Sequence, residues 1–258
     1  MEKRLICEVV CPIVRGTRLD AQTIRVIQID GTAFCLADNL YLTAAHCIPR
    51  DLKEPDFIGL GFPQPPKTDI GIVPFVHAET WDEADIALVE VARPVPKSAP
   101  VKWRFDTVTA LHDVWTAGYP HAMDIAELGF ISQRAFKGYT VSHLPFRRIG
   151  EEKYHEAYEL SFKAPMGLSG APLVSREKGD PVIGIMIANR QTGLTVLDEE
   201  EGTDDGEKKE IYYYKQVEHY GVAVSSGEIG KWRPKRLGMK IEDFVRERGL
   251  LPEKSECE

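Results

Sequence analysis

The apolar residues of this chain fall in short runs, rich in β-branched and aromatic side chains, that end at Gly, Pro, Asn or Asp. Runs of this kind are typical of β-strands. Near the end of the chain, MKIEDFVRERGLL carries apolar residues at three- and four-residue spacing and predicts one amphipathic helix. The predicted strands are TIRVIQID, TAFCLAD, YLT, IGIVPFV, IALVEVA, VWTAG, FISQ, YELSF, PLVS, VIGIMIA, IYYYKQV and YGVAV.

Strands that follow one another without helices exclude a parallel α/β sheet and favour antiparallel barrels. The proline-rich segment RPVPKSAP (93–100) divides the predicted strands into two comparable groups. We therefore predict an all-β fold with two six-stranded antiparallel β-barrels, the active site in the cleft between them, and a C-terminal helix. The expected parts are an N-terminal barrel (1–100), a C-terminal barrel (101–233) with an acidic insertion (190–219), and a C-terminal helix and tail (234–258).

Composition and charge narrow the possible functions. The chain has 258 residues, 43% hydrophobic and 28% charged, which is typical of a globular protein and argues against a disordered or fibrous one. Its net charge is -8, but Asp198–Glu210 alone holds eight acidic residues and two lysines, so the rest is nearly neutral. We expect no nucleic-acid or membrane partner, because the charge repels both and no apolar run is long enough to cross a bilayer.

The cysteines indicate a reducing compartment. Five is an odd number, and the spacing is too irregular for a disulfide framework in a chain of this size. The N-terminus also lacks the cleavage pattern of a secretory signal, so we expect a cytoplasmic protein. Cys7 and Cys11 have the spacing of half a metal site, but no matching second pair follows, and we expect neither metal nor cofactor. The cysteines are Cys7, Cys11, Cys35, Cys47 and Cys257.

Three short segments hold the residue types that nucleophilic acyl transfer needs, and they are LTAAHC (42–47), ADIAL (84–88) and GLSGAP (167–172). A serine hydroxyl needs an imidazole to accept its proton, and Ser169 and His46 are the candidates. The imidazole needs a carboxylate to orient it, which Asp85 can supply at the start of an apolar strand. The backbone N–H groups of Gly167 and Ser169 are candidates for the oxyanion hole.

These segments resemble the trypsin-like (chymotrypsin-fold) serine peptidases, in which T-A-A-H-C, D-[IL]-A-L and G-x-S-G-x-P elements occur in this order. Similar flanking strands extend the resemblance from Arg25 to Trp232. It implies a serine endopeptidase, similar to the bacterial intracellular and stress-response members, with His46, Asp85 and Ser169 as its catalytic triad. Such an enzyme cleaves protein or peptide substrates through an acyl-enzyme intermediate and needs no cofactor.

Leu168 and Cys35 depart from the family pattern. Leu168 stands where the digestive members have an aspartate that pairs with a newly cut N-terminus, so we do not expect activation by that route. Because unregulated proteolysis would damage a cytoplasm, we expect narrow specificity or activation by a protein partner. Cys47 follows the histidine as in the secreted members, but Cys35 matches the usual disulfide partner poorly, so this pairing stays open.

The resemblance also implies substrate-binding residues. Lys163, six residues before Ser169, matches the base of the primary pocket and would favour acidic substrate residues, unless its side chain extends to solvent instead. Ile187, Ala188 and Asn189 resemble the segment that pairs with the bound peptide, where Asn189 replaces the usual glycine and would narrow the pocket. The acidic insertion beside them is either a solvated loop or a lid or docking element.

Alternatives exist for the carboxylate and for the function. Asp82 opens no strand and Asp69 precedes a run that Pro74 interrupts, so Asp85 is preferred. An α/β-hydrolase is excluded because its strands alternate with helices and its histidine follows the serine. The remaining alternative is a catalytically inactive chymotrypsin-fold binding module, against which the presence of every catalytic residue type argues.

Overall fold

The computed structural model describes residues 9–20, 24–52, 56–63, 70–120, 132–147, 150–198 and 212–252. Within these residues the chain forms twelve β-strands, two short α-helices and a 3₁₀ turn at Ala45–Cys47. The strands form two closed antiparallel barrels of six strands each, which confirms the predicted fold class.

The first barrel consists of β1 (Val10–Arg18), β2 (Ile24–Ala37), β3 (Leu40–Ala44), β4 (Asp56–Pro63), β5 (Ile70–Trp81) and β6 (Ile86–Val91). Its strands are hydrogen-bonded in the order β1-β2-β3-β6-β5-β4, and β4 pairs with β1 to close the barrel. Fully buried side chains such as Phe34, Leu42, Leu60 and Leu88 fill its interior. Closure leaves no unpaired sheet edge, as expected for a stable barrel.

The second barrel consists of β7 (Asp113–Gly118), β8 (Arg134–Phe146), β9 (His155–Leu160), β10 (Pro172–Ser175), β11 (Val182–Asp198) and β12 (Tyr212–Ser225). The order around this barrel is β7-β8-β9-β12-β11-β10, and β10 pairs with β7 to close it. This order repeats that of the first barrel strand for strand. The two barrels therefore share one topology, although the sequence shows no legible internal repeat.

Three strands are absent from the sequence prediction, and all three contain residues that strands disfavour. β1 (VCPIVRGTR), β4 (DFIGLGFP) and β8 (RAFKGYTVSHLPF) each hold at least one glycine and one proline. The predicted strand FISQ is wrong as far as it is described, because Ser132 and Gln133 precede β8, while Phe130 and Ile131 lie outside the described residues.

The acidic insertion (190–219) begins and ends as the two strands of a regular hairpin, of which the sequence predicts only IYYYKQV (211–217). β11 and β12 pair continuously from Ala188 with Val222 out to Asp198 with Tyr212. Asp198, the first residue of the acidic segment 198–210, is the last residue of β11. Residues 199–211 of the insertion lie outside the described residues, so its role as a loop or lid stays a prediction.

The link between the barrels carries no strand, as its proline content predicts, and it ends in a buried tryptophan. Trp103 is fully buried and its ring lies 5.8 Å from that of Phe34 in the first barrel. It also forms an isolated parallel bridge with Val182 at the start of β11 in the second barrel. This side chain thus helps to fix one barrel against the other, and the domain limits 1–100 and 101–233 stay a proposal.

The structure has two helices after the second barrel where the sequence predicts one. α2 (Ile241–Glu247) is the predicted helix and buries Ile241, Phe244 and Val245. α1 (Ser226–Lys231) directly follows β12, and its N-cap Ser225 accepts a hydrogen bond from the Glu228 N–H, as in a capping box. Among the described residues, no helix has the length and apolar character needed to span a membrane.

Candidate active site

His46 and Asp85 are brought together by the pairing of β3 with β6. Ala44, the last residue of β3, pairs with Ile86, the first residue of β6. His46 in the 3₁₀ turn after β3 therefore faces Asp85, which immediately precedes β6. The Ala45 N–H donates to the Asp85 carbonyl oxygen at 2.9 Å. This hydrogen bond extends the pairing of β3 with β6 by one residue.

Both carboxylate oxygens of Asp85 bind His46. Oδ1 accepts the backbone N–H of His46 at 3.0 Å, and Oδ2 lies 2.7 Å from ring Nδ1. Because a carboxylate only accepts, Nδ1 carries the proton and Nε2 is left as the basic nitrogen. Asp85 adopts φ 59°, a left-handed conformation that Asp tolerates better than most residues. Its side chain is only 4% exposed, whereas that of His46 is 35% exposed, so the ring faces the cleft.

The surroundings of His46 raise its basicity. Burial of the ring lowers the pKa of His46, but the Asp85 hydrogen bond, the adjacent Cys47 sulfur and the Asp85 charge together outweigh burial. The pKa therefore lies above its ordinary value of 6.5. This ring is well suited to take a proton from a weakly acidic group such as a serine hydroxyl.

Ser169 lies on a tight turn that two glycines make possible. Gly167 and Gly170 have φ values of +93° and +83°, in the left-handed region that favours glycine. A Cβ atom at Gly170 would overlap the carbonyl oxygen of Thr32 and Oγ1 of Thr43 in the first barrel. The Ser169 turn therefore packs directly on the N-terminal barrel, which explains why a glycine follows the serine.

Thr32 of β2 holds the Ser169 turn in place, and sequence reasoning does not identify it. Its N–H donates to the Ser169 carbonyl oxygen, and its hydroxyl donates to the Gly167 carbonyl oxygen, both at 2.8 Å. The same hydroxyl accepts the Tyr119 N–H at 3.1 Å, and the Thr32 carbonyl oxygen accepts the Thr43 hydroxyl at 2.7 Å. The sequence shows only a threonine at the start of an apolar run, whereas the structure shows that Thr32 is fully buried.

The remaining polar groups of the site are available to a substrate. Within the described residues there is no hydrogen bond between Ser169 Oγ and His46 Nε2, although Cys47 Sγ next to the histidine contacts the Ser169 carbonyl oxygen at 3.6 Å. Catalytic hydrogen bonds often form only once substrate is bound. The N–H groups of Gly167 and Ser169 have no acceptor in the described part of the chain. Two free donors on one turn are what an oxyanion hole requires.

The two departures from the family pattern have structural explanations. Leu168 is fully buried in the core of the second barrel, so this position is anchored by apolar packing rather than by an ion pair. Cys11, Cys35 and Cys47 are free and buried. A Cβ atom at Gly31 would overlap the sulfur of Cys47, so the space beside that sulfur belongs to a glycine and not to Cys35.

The predicted substrate-binding residues differ in their surroundings in the structure. Lys163 is exposed, as in the alternative in which its side chain extends to solvent. Ile187 and Ala188 lie at a β-bulge in β11, where the register with β12 shifts between Met186 and Ala188. Asn189 is exposed, and its side-chain amide is hydrogen-bonded to the backbone of Ala164.

Of the two rival carboxylates, the described one, Asp82, is bound elsewhere. Asp82 forms an ion pair with Arg50 at 2.8 Å, and its carbonyl oxygen accepts the Asp85 N–H. Asp69 lies outside the described residues. Among the described residues, no cluster of His, Cys, Asp and Glu side chains is suited to hold a metal ion.

Comparison with known proteins agrees with the two-barrel fold. The protease Rv3671c from M. tuberculosis, in its active form, is 17% identical, with a TM-score of 0.55 over 87% of this chain and 78% of that one. The MamO protease domain from Magnetospirillum magneticum is 15% identical, with a TM-score of 0.54 over 86% of this chain and 93% of that one. No curated protein sequence matches the chain. The profile of the Trypsin-like peptidase domain matches residues 31–185, more than half of the chain, which therefore belongs to the trypsin-like peptidase domain family.

Proposed function

We propose that this protein is a serine endopeptidase that uses Ser169, His46 and Asp85 as a catalytic triad. The observation that carries the proposal is the pair of hydrogen bonds from His46 to the buried Asp85 carboxylate. This pair leaves Nε2 of a partly exposed ring as the free base. The turn that holds Ser169 is fixed to the same barrel through Thr32, which supports a common site for the three residues.

The proposed reaction begins with attack of Ser169 Oγ on the peptide carbonyl carbon while His46 Nε2 takes the hydroxyl proton. The N–H groups of Gly167 and Ser169 stabilise the negative oxygen of the tetrahedral intermediate. His46 then gives its proton to the leaving nitrogen as the C–N bond breaks, leaving an ester on Ser169. Water attacks this ester with His46 again as the base, and the carboxylic acid product and the free serine are released.

The substrates in this proposal are proteins or peptides, and no cofactor takes part. Because the Ser169 turn is anchored by Leu168 and Thr32, its shape does not depend on a newly cut N-terminus. Control by narrow specificity or by a protein partner stays part of the proposal. A cytoplasmic location also stays a proposal, supported by the free thiols of Cys11, Cys35 and Cys47.

Hydrolysis of a fluorogenic peptide library by purified wild type and Ser169→Ala protein tests the proposal. Without the nucleophile, turnover should fall by about 10⁶-fold, as in other Ser-His-Asp proteases. Ser142→Ala is the matched control, because Ser142 is a partly buried serine of the same barrel whose hydroxyl binds Glu159 away from the site. Equal hydrolysis by wild type and Ser169→Ala protein would show that another group cleaves the peptides.

One observation favours a second candidate, a catalytically inactive module that binds peptides in the same cleft. Ser169 Oγ and His46 Nε2 are not hydrogen-bonded to each other in the described structure. A binding module would retain the cleft without activating the serine. Reaction with a fluorophosphonate distinguishes the two candidates, because only an activated serine is labelled.

A further inference from the structure

The segment before Ser169 is hydrogen-bonded directly to the strands across from it. The Asn189 side chain on β11 makes both hydrogen bonds that the Ala164 backbone can offer: Oδ1 accepts the Ala164 N–H at 2.6 Å, and Nδ2 donates to the Ala164 carbonyl oxygen. Two residues earlier, the Phe162 carbonyl oxygen accepts the N–H of Gly221 on β12 at 2.7 Å. We call this set of contacts, made by Phe162, Ala164, Asn189 and Gly221, the clamp.

The clamp lies where a substrate side chain would have to enter. β11 runs beside the Ser169 turn, because the Met186 carbonyl oxygen accepts the Gly170 N–H at 2.7 Å. A peptide whose carbonyl carbon contacts Ser169 Oγ, and whose oxygen contacts the Gly167 N–H, places its preceding side chain next to residues 163–167. That side chain must fit between this segment and residues 187–189 of β11, and Asn189 spans this space.

Little room is left at either end of the clamp. A Cβ atom on Gly221 would lie 2.8 Å from the Phe162 carbonyl oxygen and 3.3 Å from Cε of Met186. Ala164 is only 8% exposed and belongs to the core of the second barrel. Lys163 lies between the clamped residues Phe162 and Ala164 and is itself exposed.

We infer that the clamp limits this site to peptides with a small residue, glycine, alanine or serine, immediately before the scissile bond. Asn189 is then the specificity-determining residue, and selection is by size and not by the charge of Lys163. Opening the pocket for a larger side chain would break both hydrogen bonds between the exposed Asn189 side chain and the backbone of the buried Ala164, and buried backbone groups without partners are costly. The inference rests on the proposed peptidase site but concerns only its pocket.

Binding of cleavage products tests the pocket without any catalysis. Two hexapeptides with a free carboxyl terminus, identical except for a final Ala or Phe, are titrated calorimetrically into Ser169→Ala protein. The Ala peptide should bind at least about 10-fold more tightly, the discrimination expected of a pocket that excludes a large group. In Ser169→Ala/Asn189→Gly protein the Phe peptide should gain about 10-fold while the Ala peptide changes less than about twofold.

Asn189→Asp is the conservative control. Its carboxylate still accepts the Ala164 N–H but cannot donate to the Ala164 carbonyl oxygen, so the preference for Ala should weaken without vanishing. Thermal melting of each variant checks that the barrel remains folded. Equal affinity for the two peptides in Ser169→Ala protein, no measurable affinity for the Ala peptide, or no effect of opening the clamp in folded protein would each overturn the inference.

Failure of the pocket inference and failure of the proposed function give different results. If the product peptides show the predicted preference but wild type cleaves no peptide, the clamp is correct and the protein is a binding module. If wild type cleaves after Phe or Leu as readily as after Ala, and Asn189→Gly leaves the cleavage profile unchanged, the protein is a peptidase without a size-selective clamp.

Discussion

The two sides of the cleft next to Ser169 use their polar groups in opposite ways. On the reaction side, His46 keeps its basic nitrogen free, and the N–H groups of Gly167 and Ser169 have no acceptor among the described residues. On the pocket side, the Asn189 side-chain amide is hydrogen-bonded to both the N–H and the carbonyl oxygen of Ala164. In the proposed function, the reaction side acts on any peptide bond, and the pocket side decides which peptides reach it.

The two sides also depend on different parts of the fold. The reaction side is assembled between barrels, with Thr32 of the first barrel bound to Ser169 and Gly167 of the second. The pocket side lies wholly within the second barrel, between β11, β12 and the segment before Ser169. Changes that disturb the contact between barrels should therefore impair the reaction and leave the size preference unaltered.

Asp85→Asn should have the largest effect on the reaction side. An amide in place of the carboxylate can stabilise the wrong tautomer of His46, and the corresponding change in a Ser-His-Asp protease lowers kcat about 10⁴-fold. The raised pKa of His46 also predicts that wild-type kcat/KM increases with pH, with a midpoint above 6.5, because the base must be neutral to act. In Asp85→Asn protein this midpoint should move to lower pH.

Both the loss of activity and the shift of the midpoint are obtained by measuring kcat/KM as a function of pH. The substrate is a peptide with a small residue immediately before the scissile bond. The Asp82→Asn variant is the control, since Asp82 binds Arg50 and not His46. A wild-type midpoint below 6.5, or the same midpoint in wild type and Asp85→Asn protein, would contradict the assigned role of Asp85.

Gly170→Ala should have the next largest effect, through the contact between the barrels. Its Cβ would overlap two atoms of the first barrel, and the residue would also have to adopt φ +83°. We expect a loss of about 3 kcal/mol or more in the free energy of unfolding, together with loss of activity. Denaturant titration measures the stability of each variant.

Gly179→Ala is a matched control for that variant. Gly179 has φ +91° but no atom within 4 Å of its would-be Cβ, so this change imposes the backbone strain without the collision. Gly179→Ala should lower the free energy of unfolding by about 1 kcal/mol and leave the activity unchanged. If both alanine variants lose the same stability, backbone strain alone explains the need for Gly170, and the packing of the Ser169 turn on the first barrel is unimportant.

Thr32→Val should have the smallest effect of the three variants. It is the clearest test of whether the reaction side can be impaired while the size preference of the pocket side is unchanged. Valine has nearly the shape of threonine and keeps the backbone N–H, but it removes the hydroxyl that donates to the Gly167 carbonyl oxygen and accepts the Tyr119 N–H. We expect a loss of about 1–3 kcal/mol in stability. A decrease of about 10-fold in kcat should accompany it, because the oxyanion donors lose their support.

The control for this variant is Thr116→Val, because the buried Thr116 hydroxyl has no hydrogen-bond partner in the described residues. Removing it should be neutral or stabilising. The preference for small residues should be the same in both threonine variants. A changed size preference in Thr32→Val protein would mean that the pocket side is not independent of the contact between barrels.

The sequence is most informative where function depends on short segments. The candidate residues His46, Asp85 and Ser169 each lie in a contiguous motif, and β-branched runs indicate most of the strands. Glycine and proline conceal β1, β4 and β8, because barrel strands tolerate them at bends and bulges that a single sequence does not reveal.

The contacts that set the pocket and the anchor of the Ser169 turn could not be predicted in this way. Asn189 and Ala164 are 25 residues apart, and Thr32 and Gly167 are 135 apart. Both contacts depend on the register of strands and on side-chain orientation, which the order of residues does not specify locally. That Asn189 narrows the pocket thus stays a prediction from the family resemblance, whereas only the folded chain reveals that its side chain binds Ala164.

The most direct test of the central claim, that Ser169 is a nucleophile activated by His46, is intact-protein mass spectrometry after treatment with diisopropyl fluorophosphate. Wild type should gain one adduct, and peptide mapping should place it on Ser169. His46→Ala protein, which keeps the serine but lacks the base, should remain unlabelled over the same time. Folded wild type that gains no adduct, or an adduct that persists in His46→Ala protein, would contradict the account.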